Sequence, residues 1–251
     1  MVVALVYFAY LAGLALFARQ IRVAAAAVLI LAAVGTIGMP HLMPLMYLLV
    51  GYWLPARLVT SPNDALTDRL LAFDHQLFGR SGLETFLTKA PRAVVEYLEI
   101  AYLLCYAVIP IGWTWLVLAG HRDQSDRFWA TVLLASFSCY GILPWLPSRA
   151  PRAVEGAPSR SRSLIRQLNI RVLDHASVQW NTFPSGHTAA SLAVALAVGI
   201  HVPPAGVVLG IIAVSIAIGS VVGRYHYAAD AIAAAVIAIA AFAITSVVHV
   251  R

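Results

Sequence analysis

Charge is what this chain lacks most: 11% of its 251 residues are Asp, Glu, Lys or Arg, against roughly 25% in an ordinary soluble domain. With 61% hydrophobic residues and a mean hydropathy of +0.82, a soluble globular domain is excluded. Lysine is almost absent, Lys89 being the only one, so the cations are arginines. Arginine offers a planar fork that grips phosphate or carboxylate bidentately, where lysine is a point charge. Cysteine is scarce as well. Cys105 and Cys139 both lie in apolar segments, with neither the CxxC spacing of a zinc site nor the second pair of a disulfide framework. The first apolar run has no basic leader region and no small-residue cleavage site before Arg19, so it reads as a retained helix.

Long apolar runs are what the chain has. A spanning helix takes about 20 mostly apolar residues. Such runs fall near 2–18, 23–38, 42–59, 94–119, 128–146, 186–202, 205–222 and 230–250, predicting an all-α polytopic membrane bundle of six to eight transmembrane helices. Gly38-Met39-Pro40 and Pro44 interrupt the second and third runs, which are either two spans or one broken helix with a re-entrant piece. The expected organisation is N-terminal helices over 1–60, a more polar segment over 61–93, and a core carrying the chemistry over 94–251.

Within 61–93, Leu66, Leu70, Leu71, Phe73, Leu77 and Phe78 recur at three- and four-residue steps among charged residues, the pattern of an amphipathic helix lying in the membrane interface. Ser61-Pro62-Asn63-Asp64 marks its start and Gly79 its break. The longest polar connection, 147–183, carries Arg149, Arg152, Arg160, Arg162, Arg166 and Arg171. Loops of that length are usually functional or disordered. Its middle, Gly156 to Ser163, reads as flexible and its ends as fixed.

Two short stretches put ionisable groups beside bilayer-length runs, where they are costly and by default functional. Pro184-Ser185-Gly186-His187 has the marks of a helix start: proline for the first turn, serine as cap, glycine for close backbone approach. Free N–H groups at such an end bind anions, and His187 would stand among them. In His226-Tyr227-Ala228-Ala229-Asp230, histidine and carboxylate are one helical turn apart. A carboxylate on one ring nitrogen fixes the tautomer and leaves the other nitrogen basic and nucleophilic. If the segments alternate across the bilayer, Arg149, Arg152, His187, Arg224, His226 and Asp230 converge on one face. Glu99, Tyr102 and Tyr106 share a helix face and either line a headgroup pocket or form part of an interfacial aromatic belt.

The combination resembles the type-2 phosphatidic acid phosphatase superfamily, and within it the branch of inositol phosphorylceramide synthase-like enzymes. Phe183-Pro184-Ser185-Gly186-His187-Thr188 is similar to that family's second motif, Arg224 to Asp230 to its third, and Leu146-Pro147-Ser148-Arg149-Ala150-Pro151-Arg152 to the first motif of the synthase-like branch. The resemblance implies a six-helix phosphatase-like core with His226 as nucleophile forming a phosphohistidine, Asp230 orienting it and His187 as general acid. It further implies Ser185 and Gly186 in a phosphate cradle, Arg152 and Arg149 on the phosphate oxygens, and neither metal nor cofactor. Two positions depart from the common pattern. Ile142 and Trp145 stand where a lysine precedes the first-motif arginine, and Ser220 stands where a phosphate-binding arginine precedes the nucleophile. Arg224 either replaces that arginine or faces headgroups.

Three functions follow as expectations. The first is hydrolysis of a lipid phosphate, such as phosphatidic acid or a polyprenyl phosphate or diphosphate. The second is transfer of the phosphoryl headgroup to an alcohol, and the third a non-catalytic membrane scaffold or transporter. The arginine count would put the active-site face in the cytoplasm. Discounting arginines recruited to phosphate, the resemblance puts it on the external face of a bacterial-type plasma membrane.

Overall fold

The computed structural model describes residues 1–37, 43–79, 82, 85, 89–156, 164–178, 180–181 and 183–248. These form twelve α-helices and no strand. They are α1 (Val2–Phe17), α2 (Ile21–Ile37), α3 (Met43–Ala56), α4 (Asp64–Phe78), α5 (Arg92–Leu103), α6 (Val108–Leu118), α7 (Ser125–Ile142), α8 (Pro151–Val154), α9 (Leu164–Ala176), α10 (Gly186–Gly199), α11 (Pro203–Val222) and α12 (Ala228–Val247). Gly38-Met39-Pro40 lies outside the described residues.

By length and composition α11 and α12 are each apolar enough to cross a membrane, and α5 with α6 makes a third candidate bent by 68°. Counting the shorter apolar helices α1, α2, α3 and α10 as well gives seven, within the expected six to eight spans. The bend breaks the run expected over 94–119 into two helices, and Pro110 explains it. A continuous helix would need an N–H at 110 to bond the Tyr106 carbonyl and would drive the proline ring into it. Instead a 3₁₀ turn over Leu104–Tyr106 ends one helix, and Pro110 falls in the first turn of the next.

α10 is the axis of the bundle, and ten of its fourteen residues are buried, every one of them Gly, Ala, Ser, Thr or Val. In lipid there is no hydrophobic drive between helices, so close packing through small residues takes its place. At the α10–α11 hairpin a side chain on Gly206 would collide with the Gly199 backbone, so glycine is what lets these helices touch. The bulky residues point the other way: Val207, Ile211, Val214 and Ile218 on α11, and Ile232, Val236 and Ile239 on α12, are exposed.

Two polar elements cover one end. The helix α4 starts and stops where the sequence marks it, with Asn63 Oδ1 accepting from Leu66 N at 2.9 Å and Gly79 beyond its C-terminus at φ 72°. Within the connection expected to be a long loop, α9 forms an additional helix whose inner face carries buried Arg166 and Asn169. Their partner is Glu99 of α5. Arg166 Nη1 donates to Glu99 Oε1 at 2.6 Å and Asn169 Nδ2 to Oε2 at 2.7 Å, while Arg166 Nη2 donates to the Gly223 carbonyl at 3.1 Å.

Removing one member of a buried, hydrogen-bonded ion pair strands the other and costs about 3–5 kcal/mol, whereas replacing both by apolar groups is far cheaper. Arg166→Ala is therefore expected to lower thermal stability in detergent sharply. The Glu99→Gln, Arg166→Met double variant should recover most of the loss, and equal loss in both would contradict this reading.

Candidate active site

The site is built where the ends of α7 and α11 meet the starts of α10 and α12. After α11 the chain reverses within a few residues, with Arg224 at φ 60° and the N–H groups of Tyr225 and His226 both donating to the Ser220 carbonyl, at 2.8 and 3.0 Å. This reversal aims His226 back at the bundle before α12 begins. One turn into α12, Asp230 is fully buried, and its Oδ2 receives three donors: Tyr227 N at 2.9 Å, His226 Nδ1 at 3.2 Å and Asn181 Nδ2 at 2.9 Å. The carboxylate thus caps α12 and holds the imidazole at once. It also fixes the tautomer, because Nδ1 is the donor and Nε2 keeps its lone pair.

His187 enters from α10. The Ser185 N–H donates to the Asp230 carbonyl at 3.1 Å, joining the two motifs through the backbone, and Ser185 Oγ caps α10 by accepting from Thr188 N at 3.4 Å. The His187 ring centroid lies 6.0 Å from that of His226 and is flanked by Tyr52, Tyr102 and Tyr106 at 6.1, 5.8 and 5.5 Å. Both histidines line a partly open pocket with about 20 Å³ of free space, together with Arg152, Asn181, Trp180 and Tyr225.

The predicted residues divide on this geometry. His226, Asp230 and His187 are brought together, and Arg152 reaches the cavity with its guanidinium carbon 5.7 Å from the Tyr225 ring centre. Ser185 and Gly186 do not line the cavity. Ser185 is spent on the helix cap, and Gly186 is glycine because any side chain there would run into the Tyr140 ring. Arg149 is turned outward, half exposed, with Nε donating to Asp64 Oδ1 at 3.1 Å. Arg224 pairs with Glu155, which also binds His75 Nε2 at 2.6 Å. Neither guanidinium faces the histidines. Glu99 lies behind the wall, where the Tyr225 hydroxyl donates to its Oε2 at 2.6 Å and Tyr102 stacks on Tyr225 at 4.2 Å. Burial and the adjacent carboxylate push the Tyr225 phenol well up, so it remains a donor.

Sequence reasoning missed Asn181 and Asp74. Asn181 pairs with Ser148 of the first motif as an isolated antiparallel bridge, its N–H donating to the Ser148 carbonyl at 2.9 Å. An asparagine buried four residues before the Ser185 cap of α10 gives no periodic signal; only its place between two motifs hinted at it. Asp74 comes from α4, where Oδ1 accepts from Ala228 N at 3.0 Å, so the interfacial helix also caps α12. Among the described residues no group of three or more His, Cys, Asp and Glu is arranged to hold a metal ion.

With this geometry in view, a model of the PAP2 superfamily matches residues 66–244. The chain belongs to the PAP2 superfamily. Membership supports a phosphatase-type activity on lipid phosphates at the level of the family. No curated protein and no solved structure matches the chain.

Asp74 supplies a pH-dependent prediction. Desolvation raises its carboxyl to about 6 despite the bond from Ala228 N, with Asp230 and Glu155 also raising it and Arg224 opposing them. A carboxyl raised on folding contributes its stability fully below the ordinary value of 3.8 and loses it as pH rises through about 6. Asp74→Asn keeps a neutral acceptor for Ala228 and removes the charge. It is expected to gain thermal stability relative to wild type as pH rises from below 3.8 to above 7, by on the order of 1 kcal/mol after discounting for solvent screening; a variant that is less stable above pH 7 would contradict the assignment.

Proposed function

We propose that this protein is a membrane-embedded phosphatase that cleaves the phosphate monoester or diphosphate of a lipid through a phosphohistidine at His226. The observation carrying this reading is the buried Asp230–His226 pair facing His187 across a shared pocket. With Nδ1–H held by Asp230, Nε2 is the free nucleophile. Its lone pair attacks phosphorus as the bond to the lipid oxygen breaks, and His187 gives that oxygen its proton. Arg152 is the cation positioned on the cavity to hold the equatorial oxygens as charge spreads over them. In the second half, His187 takes a proton from the incoming acceptor, whose oxygen displaces Nε2 from phosphorus. The donors are aligned before substrate arrives, which is where such sites gain most of their rate.

Transfer to an alcohol, as in the synthase-like branch, is the second reading. It is favoured by a groove of about 450 Å³ beside the pocket, lined by Trp53, Arg57, His175 and Trp180 and sharing Ser177, Val178 and Trp180 with the pocket wall. The reading as a phosphatase puts the site on the external face of a plasma membrane, a placement supported by the resemblance alone.

Purified protein in detergent, given a panel of lipid phosphates with EDTA present, is expected to release phosphate. His226→Ala should abolish release, and Asp230→Asn should lower it by about 10³–10⁴-fold through loss of the correct tautomer. Undiminished release by folded His226→Ala would overturn the assignment.

A further inference from the structure

Asn181 holds an unused acceptor in the active site. Its side-chain nitrogen is committed on both sides, to Asp230 Oδ2 at 2.9 Å and Ser148 Oγ at 3.0 Å. This fixes the amide's orientation, since a flipped amide would set its carbonyl oxygen against the carboxylate. The carbonyl Oδ1 is then left over. The residue is 3% exposed, Oδ1 is buried with no hydrogen-bond partner among the described residues, and Asn181 lines the same cavity as His187 and His226. A buried carbonyl without a partner is costly and marks a place for a ligand donor.

Phosphoryl oxygens are acceptors and have the wrong polarity for Oδ1. An O–H has the right one. On the phosphohistidine reading, the O–H that must enter the cavity belongs to the acceptor attacking phosphorus. On the same reading His187 takes one proton from that acceptor. An oxygen that has to satisfy both His187 and Asn181 Oδ1 suits water, which has two O–H groups, and not a monohydric alcohol, which has one. We infer that Asn181 Oδ1 binds the second O–H of the attacking water and so biases the enzyme toward hydrolysis over transfer. One O–H proton of water goes to His187, its oxygen forms the new bond to phosphorus, the His226 Nε2–phosphorus bond breaks with its electron pair returning to nitrogen, and the remaining O–H stays on Asn181. An alcohol would leave Oδ1 unpaired, and a site built to bond an O–H discriminates against an acceptor lacking it.

The inference rests on the phosphohistidine reading, and one experiment separates the two. Dioctanoyl phosphatidic acid is turned over in aqueous methanol, and inorganic phosphate and methyl phosphate are quantified together with acid-labile phosphoenzyme. In Asn181→Ala the ratio of methyl phosphate to phosphate should rise roughly tenfold, the effect of one lost hydrogen bond, with phosphoenzyme decay slowed more than its formation. Because the ratio is taken per turnover, a partly unfolded preparation leaves it unchanged. Asn181→Leu, which is close in size and has no acceptor, gives the same readout if the alanine variant does not fold. An unchanged ratio in variants that form phosphoenzyme would overturn the inference alone, as would equal slowing of formation and decay. Absence of phosphoenzyme in wild type would overturn the phosphohistidine reading and the inference with it.

Discussion

Everything at the polar end of this bundle hangs on one buried carboxylate. Asp230 is a fully buried anion, and its burial is tolerated because three donors converge on Oδ2 at the first turn of a helix, where the dipole favours negative charge. Each donor does a second job. Tyr227 N starts α12, Asn181 carries the strand-like bridge to Ser148, and His226 presents its far nitrogen to the cavity. The Asp230 carbonyl, by accepting from Ser185 N, brings the start of α10 to the start of α12. Folding the two motifs together and selecting the imidazole tautomer are therefore one event.

A second buried charge sets the opposite wall. Glu99 gathers Arg166, Asn169 and Tyr225, so that α5, α9 and the reversal after α11 share one centre. Ionic groups so deep in the protein add little net stability over apolar packing, but they accept few alternative arrangements. The cluster stands directly behind Tyr225, which stacks on Tyr102 and carries Arg152 near its face. Arg152 thus lies against an aromatic surface whose tilt is fixed from behind.

The helices and the three central residues were legible in the sequence for simple reasons. Apolar runs of membrane length declare themselves by composition, and His226 and Asp230 declare themselves by their one-turn spacing beside such a run. Asn63 and Gly79 likewise marked the ends of α4 through ordinary capping chemistry. Arg149 and Arg224 were not legible, because charge alone does not reveal that Asp64 and Glu155 draw those guanidinium groups away from the cavity. The helix α9 was hidden because its inner face is built from Arg166 and Asn169, inverting the apolar pattern that betrays a packed helix. The bend in the span expected over 94–119 was readable in Pro110 but masked by unbroken hydrophobicity. The fold follows from pattern, the site from spacing, and the second layer of the site from pairings between distant residues that no local signal encodes.

The central claim is that Asp230 makes His226, and not His187, the nucleophile. The most direct measurement is to quench turnover at alkaline pH, where phosphohistidine survives, and locate the phosphoryl group by mass spectrometry of the resulting peptides. The account predicts phosphate on His226 alone, lost in Asp230→Ala. Phosphate on His187, or turnover with no phosphorylated histidine at all, would contradict it.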